Sequence, residues 1–245
     1  MPDKIASIRQ ILVITDGFSN VGEDPVAAAG RARKRNIAVN VIGVVDSGEM
    51  GIRGQEEAMS IADAGGGMCR IVRPVELSAT AQMLTHQTMQ LTLQQVVNEQ
   101  LQEVMGKQTE DLPPAERTKV MQVVDRLEEE IRLELVVCID TSASMKEKMG
   151  MVREAVRDLA LSLQARQGDS AVAVIAFPGE GEAPTRVIQT FQPAVDMVRL
   201  EQVFAARGGT PTGPAIEAAI ELFAQTSYNM PFDDGPADWA REASR

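Results

Sequence analysis

The sequence predicts an α/β fold built on a mostly parallel, six-stranded sheet. Three observations support this prediction. Continuous apolar runs alternate with segments of helical periodicity, as in α/β sheets. Aromatic residues make up only 3% of the chain, so the core must be aliphatic. Two of the apolar runs, residues 8–15 and 133–139, lead directly into an aspartate, and unbroken apolar runs are typical of strands buried on both faces of a parallel sheet.

The first third of the chain predicts strand, helix, strand, helix and strand in turn. The strands are expected at residues 8–15, 37–45 and 68–72. Asp24-Pro25 predicts the start of the first helix, with aspartate as the N-cap and proline in the first turn. A shorter helix is expected around residues 55–64, ended by three consecutive glycines.

The middle of the chain predicts a helical hairpin over residues 76–131. Leu93, Val97, Leu101 and Val104 recur at helical spacing. Pro113-Pro114 opens a second helix, whose apolar stripe is formed by Val120, Val123, Val124, Leu127 and Ile131. As a unit of the chain, this hairpin connection is assigned to residues 86–132.

The last part of the chain returns to an α/β pattern. Strands are predicted at residues 133–139, 170–177 and 185–191, and the last two are joined by a loop short enough for an antiparallel hairpin. Helices are predicted over about 149–163, over about 195–206 and from Pro214 onwards, and residues 226–245 are expected to form a tail. Each half of the chain supplies only three strands, a thin core alone, so residues 8–85 and 133–225 are expected to form one composite domain.

Composition and charge exclude several classes of protein. The 245 residues contain 24 Lys and Arg against 35 Asp and Glu, a net charge of −11, which disfavours nucleic acid as a partner. Cys69 and Cys138 are far apart and His86 is the single histidine, so no zinc site is expected. Two thiols without a disulfide framework fit a reducing compartment. No apolar run approaches the roughly 18 residues of a membrane span, and no signal peptide is evident. A cytoplasmic protein is therefore expected.

Oxygen-bearing side chains follow the ends of two apolar strands. Asp16 follows the first, and Asp140 ends the other and opens the segment Asp-Thr-Ser-Ala-Ser, which presents Ser142 and Ser144. The loop Gly-Gly-Thr210 adds a third hydroxyl. Ligands of open α/β sheets bind at the carboxyl ends of the strands, and Mg²⁺ prefers about six oxygens. Each element alone has a plainer interpretation, since Ser142, Ser144 or Thr210 could merely cap a helix.

Together, DTSAS at 140–144, GGTPTG at 208–213 and ITDG at 14–17 resemble the metal-ion-dependent adhesion site of von Willebrand factor A (vWA) domains. The resemblance implies a three-layer Rossmann-like fold with strand order 3-2-1-4-5-6 and one antiparallel edge strand. The third motif comes first in this chain, and joining residue 225 to residue 8 would restore the usual order. The sequence thus predicts a circularly permuted vWA domain. The arrangement also resembles the YabS-like vWA proteins of endospore-forming bacteria.

The resemblance implies a non-enzymatic, metal-dependent protein-binding module. Mg²⁺ or Mn²⁺ is the expected ion, and an acidic side chain of a partner protein is expected to complete its coordination. The implied ligands are Asp140, Ser142, Ser144, Thr210 and Asp16.

Two alternatives remain at this point. One is a metal-independent scaffold that binds partners through the helical hairpin. The other is a Mg²⁺-dependent phosphoryl-transfer enzyme, but haloacid-dehalogenase-like phosphatases need a second acid two residues after the first. Here Phe18 and Ser142 occupy those positions.

Overall fold

Six strands form one sheet in the computed structural model, which describes residues 7–45, 51–202 and 208–229. The order across the sheet is β3-β2-β1-β4-β5-β6. The strands are β1 (Ile8–Thr15), β2 (Ile37–Val44), β3 (Gly66–Val72), β4 (Leu133–Asp140), β5 (Ser170–Phe177) and β6 (Arg186–Gln192). All neighbours pair in parallel except β5 and β6, which are antiparallel. The predicted α/β class, the mostly parallel sheet and its antiparallel edge are confirmed.

The two central strands come from distant parts of the chain, β1 from its start and β4 from its middle. Strand β1 pairs with β4 in a continuous register from Ile8 opposite Leu133 to Ile14 opposite Ile139. The predicted adjacency of these strands is therefore confirmed. Because both strands are buried along nearly their whole length, they read in sequence as unbroken apolar runs.

Seven helices within the described residues cover the sheet. They are α1 (Pro25–Lys34), α2 (Ile52–Gly65), α3 (Leu77–Met105), α4 (Pro114–Glu130), α5 (Met149–Gln164), α6 (Met197–Glu201) and α7 (Thr212–Asn229). One hydrophobic core lies between the sheet and α1, α2 and α7, and a second lies between the opposite face and α3, α4, α5 and α6. The molecule is thus a three-layer α/β/α structure.

Helix α3 is longer and more deeply packed than a simple connection would be. It continues without a break across residue 86, where the predicted hairpin unit begins. Its buried residues extend from Leu77 to Leu93, so this half belongs to the helical layer on the sheet. Beyond Leu93 the helix has no fully buried residue, and Val104 near its end is 78% exposed.

Other boundaries differ from the predictions by a few residues. Helix α2 begins at Ile52, three residues early, and ends where Gly66 adopts a left-handed conformation whose N–H caps the helix. Helix α7 extends to Asn229, so the predicted tail over 226–245 begins inside a helix. The rest of that tail, residues 230–245, and the end of the helix predicted over 195–206 lie outside the described residues. Within the described residues, no helix is both long and apolar enough to cross a membrane.

Candidate functional site

The carboxyl ends of β1 and β4 lie side by side at one edge of the sheet. Thr15 is the last residue of β1, and Asp140 is the last residue of β4. The Thr15 hydroxyl donates a 2.6 Å hydrogen bond to Asp140 Oδ2 across the pair. Two segments separated by 125 positions in sequence are therefore tied together where their strands end.

The segment after β4 folds into a tight turn that aims its oxygens at Asp16. The Ser142 N–H donates to Asp140 Oδ1 at 2.8 Å. The Ser142 and Ser144 hydroxyl oxygens are 3.1 Å apart, and the Ser144 hydroxyl donates to Asp16 Oδ1 at 2.7 Å. The structure therefore brings four of the five predicted ligands into one connected set of oxygen atoms.

Thr210, the fifth predicted ligand, is held against the loop that follows Asp16. Its N–H donates to Asn20 Oδ1 at 2.8 Å. Its carbonyl accepts from the Ser19 hydroxyl at 3.1 Å and from the Asn20 N–H at 3.3 Å. A Cβ built on Gly17 would lie 3.8 Å from the Thr210 hydroxyl oxygen, so this hydroxyl adjoins the residue next to Asp16.

Thr212 lies two residues beyond Thr210, at the start of α7. The Thr212 side chain is buried, and its hydroxyl oxygen has no hydrogen-bond partner among the described residues. A buried hydroxyl without a partner is costly in a folded protein. A hydroxyl that capped α7 would accept a hydrogen bond from a backbone N–H, so the Thr212 hydroxyl does not cap this helix.

The Asp140 carboxylate is fully buried and is held by neutral donors. Burial raises the pKa of this carboxyl above its ordinary value, whereas the hydrogen bonds from Thr15 and Ser142 lower it and the nearby charge of Asp16 raises it further. Desolvation is the largest of these effects because a carboxylate loses its hydration when it is buried. The position therefore favours a nearby positive charge.

Lys148 is the residue at this site that sequence reasoning missed. Its ammonium lies 2.7 Å from Asp16 Oδ2 and 3.4 Å from the Ser144 carbonyl oxygen. The Lys148 and Asp16 side chains are only 9% and 4% exposed, so this is a buried ion pair. Its signal in the sequence is its spacing: Met145, Lys148 and Val152 lie three and four residues apart, and both apolar residues are buried.

Glu57 on α2, which is not one of the predicted ligands, anchors the loop that carries Asp16. Its Oε2 accepts the Ser19 N–H at 2.7 Å. Burial raises the pKa of the Glu57 carboxyl, and the Ser19 hydrogen bond opposes that shift. Helix α2 thereby helps to hold Ser19, which in turn contacts Thr210.

The residues present fit a small, hard cation. Ligands at right angles on an ion with oxygens at about 2.1 Å are separated by about 3 Å. The observed oxygen separations of 2.7 Å between Ser144 and Asp16 and 3.1 Å between Ser142 and Ser144 are close to that value. The described residues contain no group of three or more His, Cys, Asp or Glu suited to a metal ion. The candidate site has a different composition, because it combines two carboxylates with three hydroxyl groups.

Neither cysteine belongs to the predicted ligand set. Cys138 is buried in the core on the α7 side of the sheet, and Cys69 on β3 is half-buried, and both are free thiols. Burial raises the pKa of both, that of Cys69 to about 11. Neither thiol therefore has the lowered pKa of a reactive cysteine.

Comparison with known proteins gives a consistent assignment. Residues 135–234 match the family model of the von Willebrand factor type A domain. This match includes Asp140, Ser142, Ser144 and Thr210, whereas Asp16 lies outside it.

Relatives cover nearly the whole chain. An uncharacterized protein of Bacillus subtilis (strain 168), YabS, is 42% identical over 218 residues, which cover 88% of this chain and 89% of YabS. The crystal structure of an uncharacterized protein from Alicyclobacillus acidocaldarius aligns with a TM-score of 0.88 and 64% identity, over 91% of this chain and 97% of that one. The chain therefore belongs to the von Willebrand factor type A domain family and is a relative of YabS.

Proposed function

We propose that this chain is a divalent-cation-dependent protein-binding module in which a partner's carboxylate completes the coordination of the ion. Membership of the vWA family already favours a protein-interaction or adhesion role. The proposal adds three specific elements. They are a Mg²⁺ or Mn²⁺ ion, the ligands Asp140, Ser142, Ser144, Thr210 and Asp16, and an acidic side chain on the partner.

The observation that carries the proposal is the convergence of oxygen atoms from two distant segments, with a third segment held beside them. The Ser144 hydroxyl is 2.7 Å from Asp16 Oδ1, although these residues are 128 positions apart. Thr210 is tied to the loop after Asp16 across 190 positions. Helix capping alone would explain any one hydroxyl, but it does not explain why loops from separate parts of the chain are hydrogen-bonded around two carboxylates.

The residues of this chain would divide the work at such a site. Asp140 and Asp16 would supply negative charge, and the three hydroxyls would supply neutral oxygen ligands. A bound divalent ion would act as a Lewis acid toward an incoming carboxylate. Neutral hydroxyl ligands leave more of the ion's positive charge for that carboxylate than acidic ligands would. Ser144 is exposed, so the site is open to a partner on that side.

We also propose that the domain is circularly permuted relative to the usual vWA order. In this chain the strand that precedes Asp16 comes first, and the segment that matches the family model comes last. The two regions nevertheless supply the two central strands of the sheet. The helices α3 and α4 would then form the connection that the permutation requires.

A non-catalytic role follows from the same geometry. Asp140 is fully buried and both of its oxygens accept hydrogen bonds. Both oxygens of Asp16 are also engaged, one by Ser144 and one by Lys148. Neither carboxylate is presented as a nucleophile for phosphoryl transfer.

Binding of Mn²⁺ followed by acetate tests the function directly. Manganese binding would be measured by electron paramagnetic resonance, and the water molecules on the bound ion would be followed by proton relaxation enhancement. We expect acetate to reduce the enhancement by displacing a water, and acetamide, its neutral counterpart, to have no effect. If Mn²⁺ does not bind, or if both additives act equally, the proposed mechanism is wrong.

A second candidate rests on exposed apolar side chains of the helical hairpin. Leu91, Val104 and Met105 on α3 and Val123 on α4 are each more than half exposed. Exposed apolar side chains of this size are typical of interaction surfaces when they lie together. A scaffold of this kind would keep its partner in the presence of a chelator and would lose it in Val104→Glu, whereas the metal-dependent module would show the opposite pattern.

A further inference from the structure

We infer that Lys148 is a built-in counter-cation of the candidate metal site, which lowers the affinity of the site for a divalent ion and keeps the ion exchangeable. This inference rests on the proposed function, because it concerns the same ligands. It goes beyond that function by assigning the tuning of the site to a residue that is not itself a ligand.

The position of Lys148 is fixed by its own segment. It immediately precedes α5 and shares the buried face of that segment with Met145 and Val152. Its side chain is 9% exposed, and its ammonium reaches Asp16 and the Ser144 carbonyl. Lys148 therefore touches two of the three segments that carry the predicted ligands.

Without a bound ion, Lys148 meets the charge of Asp16. Burying one partner of an ion pair without the other is strongly destabilising. Since the Asp16 side chain is almost completely buried, the Lys148 ammonium gives the loop after β1 a stable arrangement in the absence of metal. The site is therefore held in shape before any cation enters.

With an ion bound, the same ammonium becomes a nearby like charge. Asp16 presents one oxygen to Ser144 and the other to Lys148, so part of its negative charge is offset before an ion arrives. A like charge within several ångströms disfavours the binding of a cation. An ion that receives less negative charge from Asp16 also attracts a partner's carboxylate more strongly. Lys148 thus weakens metal binding and strengthens the binding of an acidic partner group.

Substitution of Lys148 tests this inference. Dissociation constants for Mn²⁺ would be measured on wild type, Lys148→Met and Lys146→Met by electron paramagnetic resonance, with thermal midpoints in a chelator. Lys146 is the matched control, because it is an exposed lysine in the same turn. We expect Lys148→Met to bind Mn²⁺ at least tenfold more tightly than wild type and to unfold at a lower temperature in the chelator. Lys146→Met is expected to match wild type in both.

The outcomes separate this inference from the function on which it rests. If wild type binds Mn²⁺ and Lys148→Met binds it equally or more weakly, Lys148 does not compete with the ion and only the inference is overturned. If neither protein binds Mn²⁺, the metal site itself is refuted. If only Lys148→Met binds, the inference is supported. Lys148→Gln, which keeps a polar end group without charge, replaces Lys148→Met if that variant fails to fold.

Discussion

Asp140 and Asp16 are both carboxylates at strand ends, yet their surroundings differ. Asp140 is fully buried and accepts hydrogen bonds from Thr15 and the Ser142 backbone, which are neutral donors. Asp16 accepts from the Ser144 hydroxyl and from the charged ammonium of Lys148. Asp140 therefore carries the less compensated charge of the two, and it should matter most for binding a cation.

Asp140→Asn should abolish measurable divalent-cation binding and change the fold little. Asparagine keeps the size of the side chain and can still accept a hydrogen bond, but it removes the buried charge. We expect the affinity for Mn²⁺ to fall by about a hundredfold or more, since one buried charge contributes several kcal/mol to an interaction with an ion. The measurement is isothermal titration calorimetry. Glu147→Gln, an exposed carboxylate in the same turn, is the control, and wild-type affinity in Asp140→Asn would refute the site.

The thiol of Cys69 should be nearly inert at neutral pH. Burial raises its pKa to about 11, and only the thiolate reacts with disulfide reagents. At pH 8 its thiolate fraction is roughly a hundredfold or more below that of an ordinary thiol. Its reaction rate with Ellman's reagent should therefore rise about tenfold per pH unit above 8. A native rate equal to that in guanidinium chloride would contradict this expectation.

The place of a single residue in the site could be predicted where the adjacent sequence has a recognisable pattern. Asp16 and Asp140 stand at the ends of apolar strands, and Ser142 and Ser144 follow Asp140 closely. All four residues could therefore be placed at one edge of a sheet. The spacing of Lys148 from Met145 and Val152 indicates a buried position, but its ion pair with Asp16 could not be predicted, because Lys148 stands in the polar segment Lys-Glu-Lys. Its partner lies 132 positions away, and only the pairing of β1 with β4 brings them together.

At the scale of elements, α3 is fastened to the sheet by a buried polar network. Asn40 on β2 accepts hydrogen bonds from the Thr88 hydroxyl at 2.7 Å and the Met68 N–H at 2.9 Å, and donates to Gln10. Gln10 on β1 donates in turn to the Thr85 carbonyl on α3. Buried polar groups that are paired in this way fix the position of one element on another.

Asn40→Ala should destabilise the protein by roughly 2–4 kcal/mol, because it leaves the Met68 N–H and the Gln10 and Thr88 side chains without their partner in a buried layer. Urea unfolding followed by circular dichroism measures the change. The control substitution Gln95→Ala removes an exposed amide from α3 and should change the free energy of unfolding by less than about 0.5 kcal/mol. Equal effects of the two substitutions would show that the network does not hold α3 in place.

Elements with one clear periodicity were predicted well, and those with mixed surroundings were not. Strands β1, β2, β4 and β5 are buried along nearly their whole length, and α5 keeps one buried face, so their patterns are clean. Helix α3 has buried residues only as far as Leu93. Its apolar stripe of Leu93, Val97, Leu101 and Val104 predicted one continuous buried face. In the structure Leu93 is buried and Val104 is exposed. The sequence pattern could not predict this change, because it does not record where packing against the sheet ends.

At the scale of the whole molecule, residues close to the two ends of the described region lie near each other. The Arg9 guanidinium at the start of β1 is 5.9 Å from the centre of the Phe223 ring on α7. Helix α7 packs against β4 and β5, next to β1. Close ends are the feature that makes a circular permutation tolerable.

A rearranged chain should fold to the same structure if it consists of residues 133–229, a short flexible linker and residues 7–132, in that order. Such a chain has the motif order of an ordinary vWA domain. We expect its circular dichroism spectrum to match that of wild type and its affinity for Mn²⁺ to lie within a few-fold. An unfolded product would count against the proposed permutation.

The most direct test of the central claim is a thermal-unfolding scan of wild type and Asp16→Ala, first with a chelator and then with millimolar Mg²⁺ or Mn²⁺. An ion that binds only the folded state at a hundred times its Kd stabilises that state by about 2.7 kcal/mol, which corresponds to a rise of roughly 5–10 °C in a domain of this size. We predict this rise in wild type and its loss in Asp16→Ala, because the proposed cation site combines Asp16, near the start of the chain, with ligands from residues 140–144 and 210. No rise in wild type, or an equal rise in Asp16→Ala, would contradict that claim.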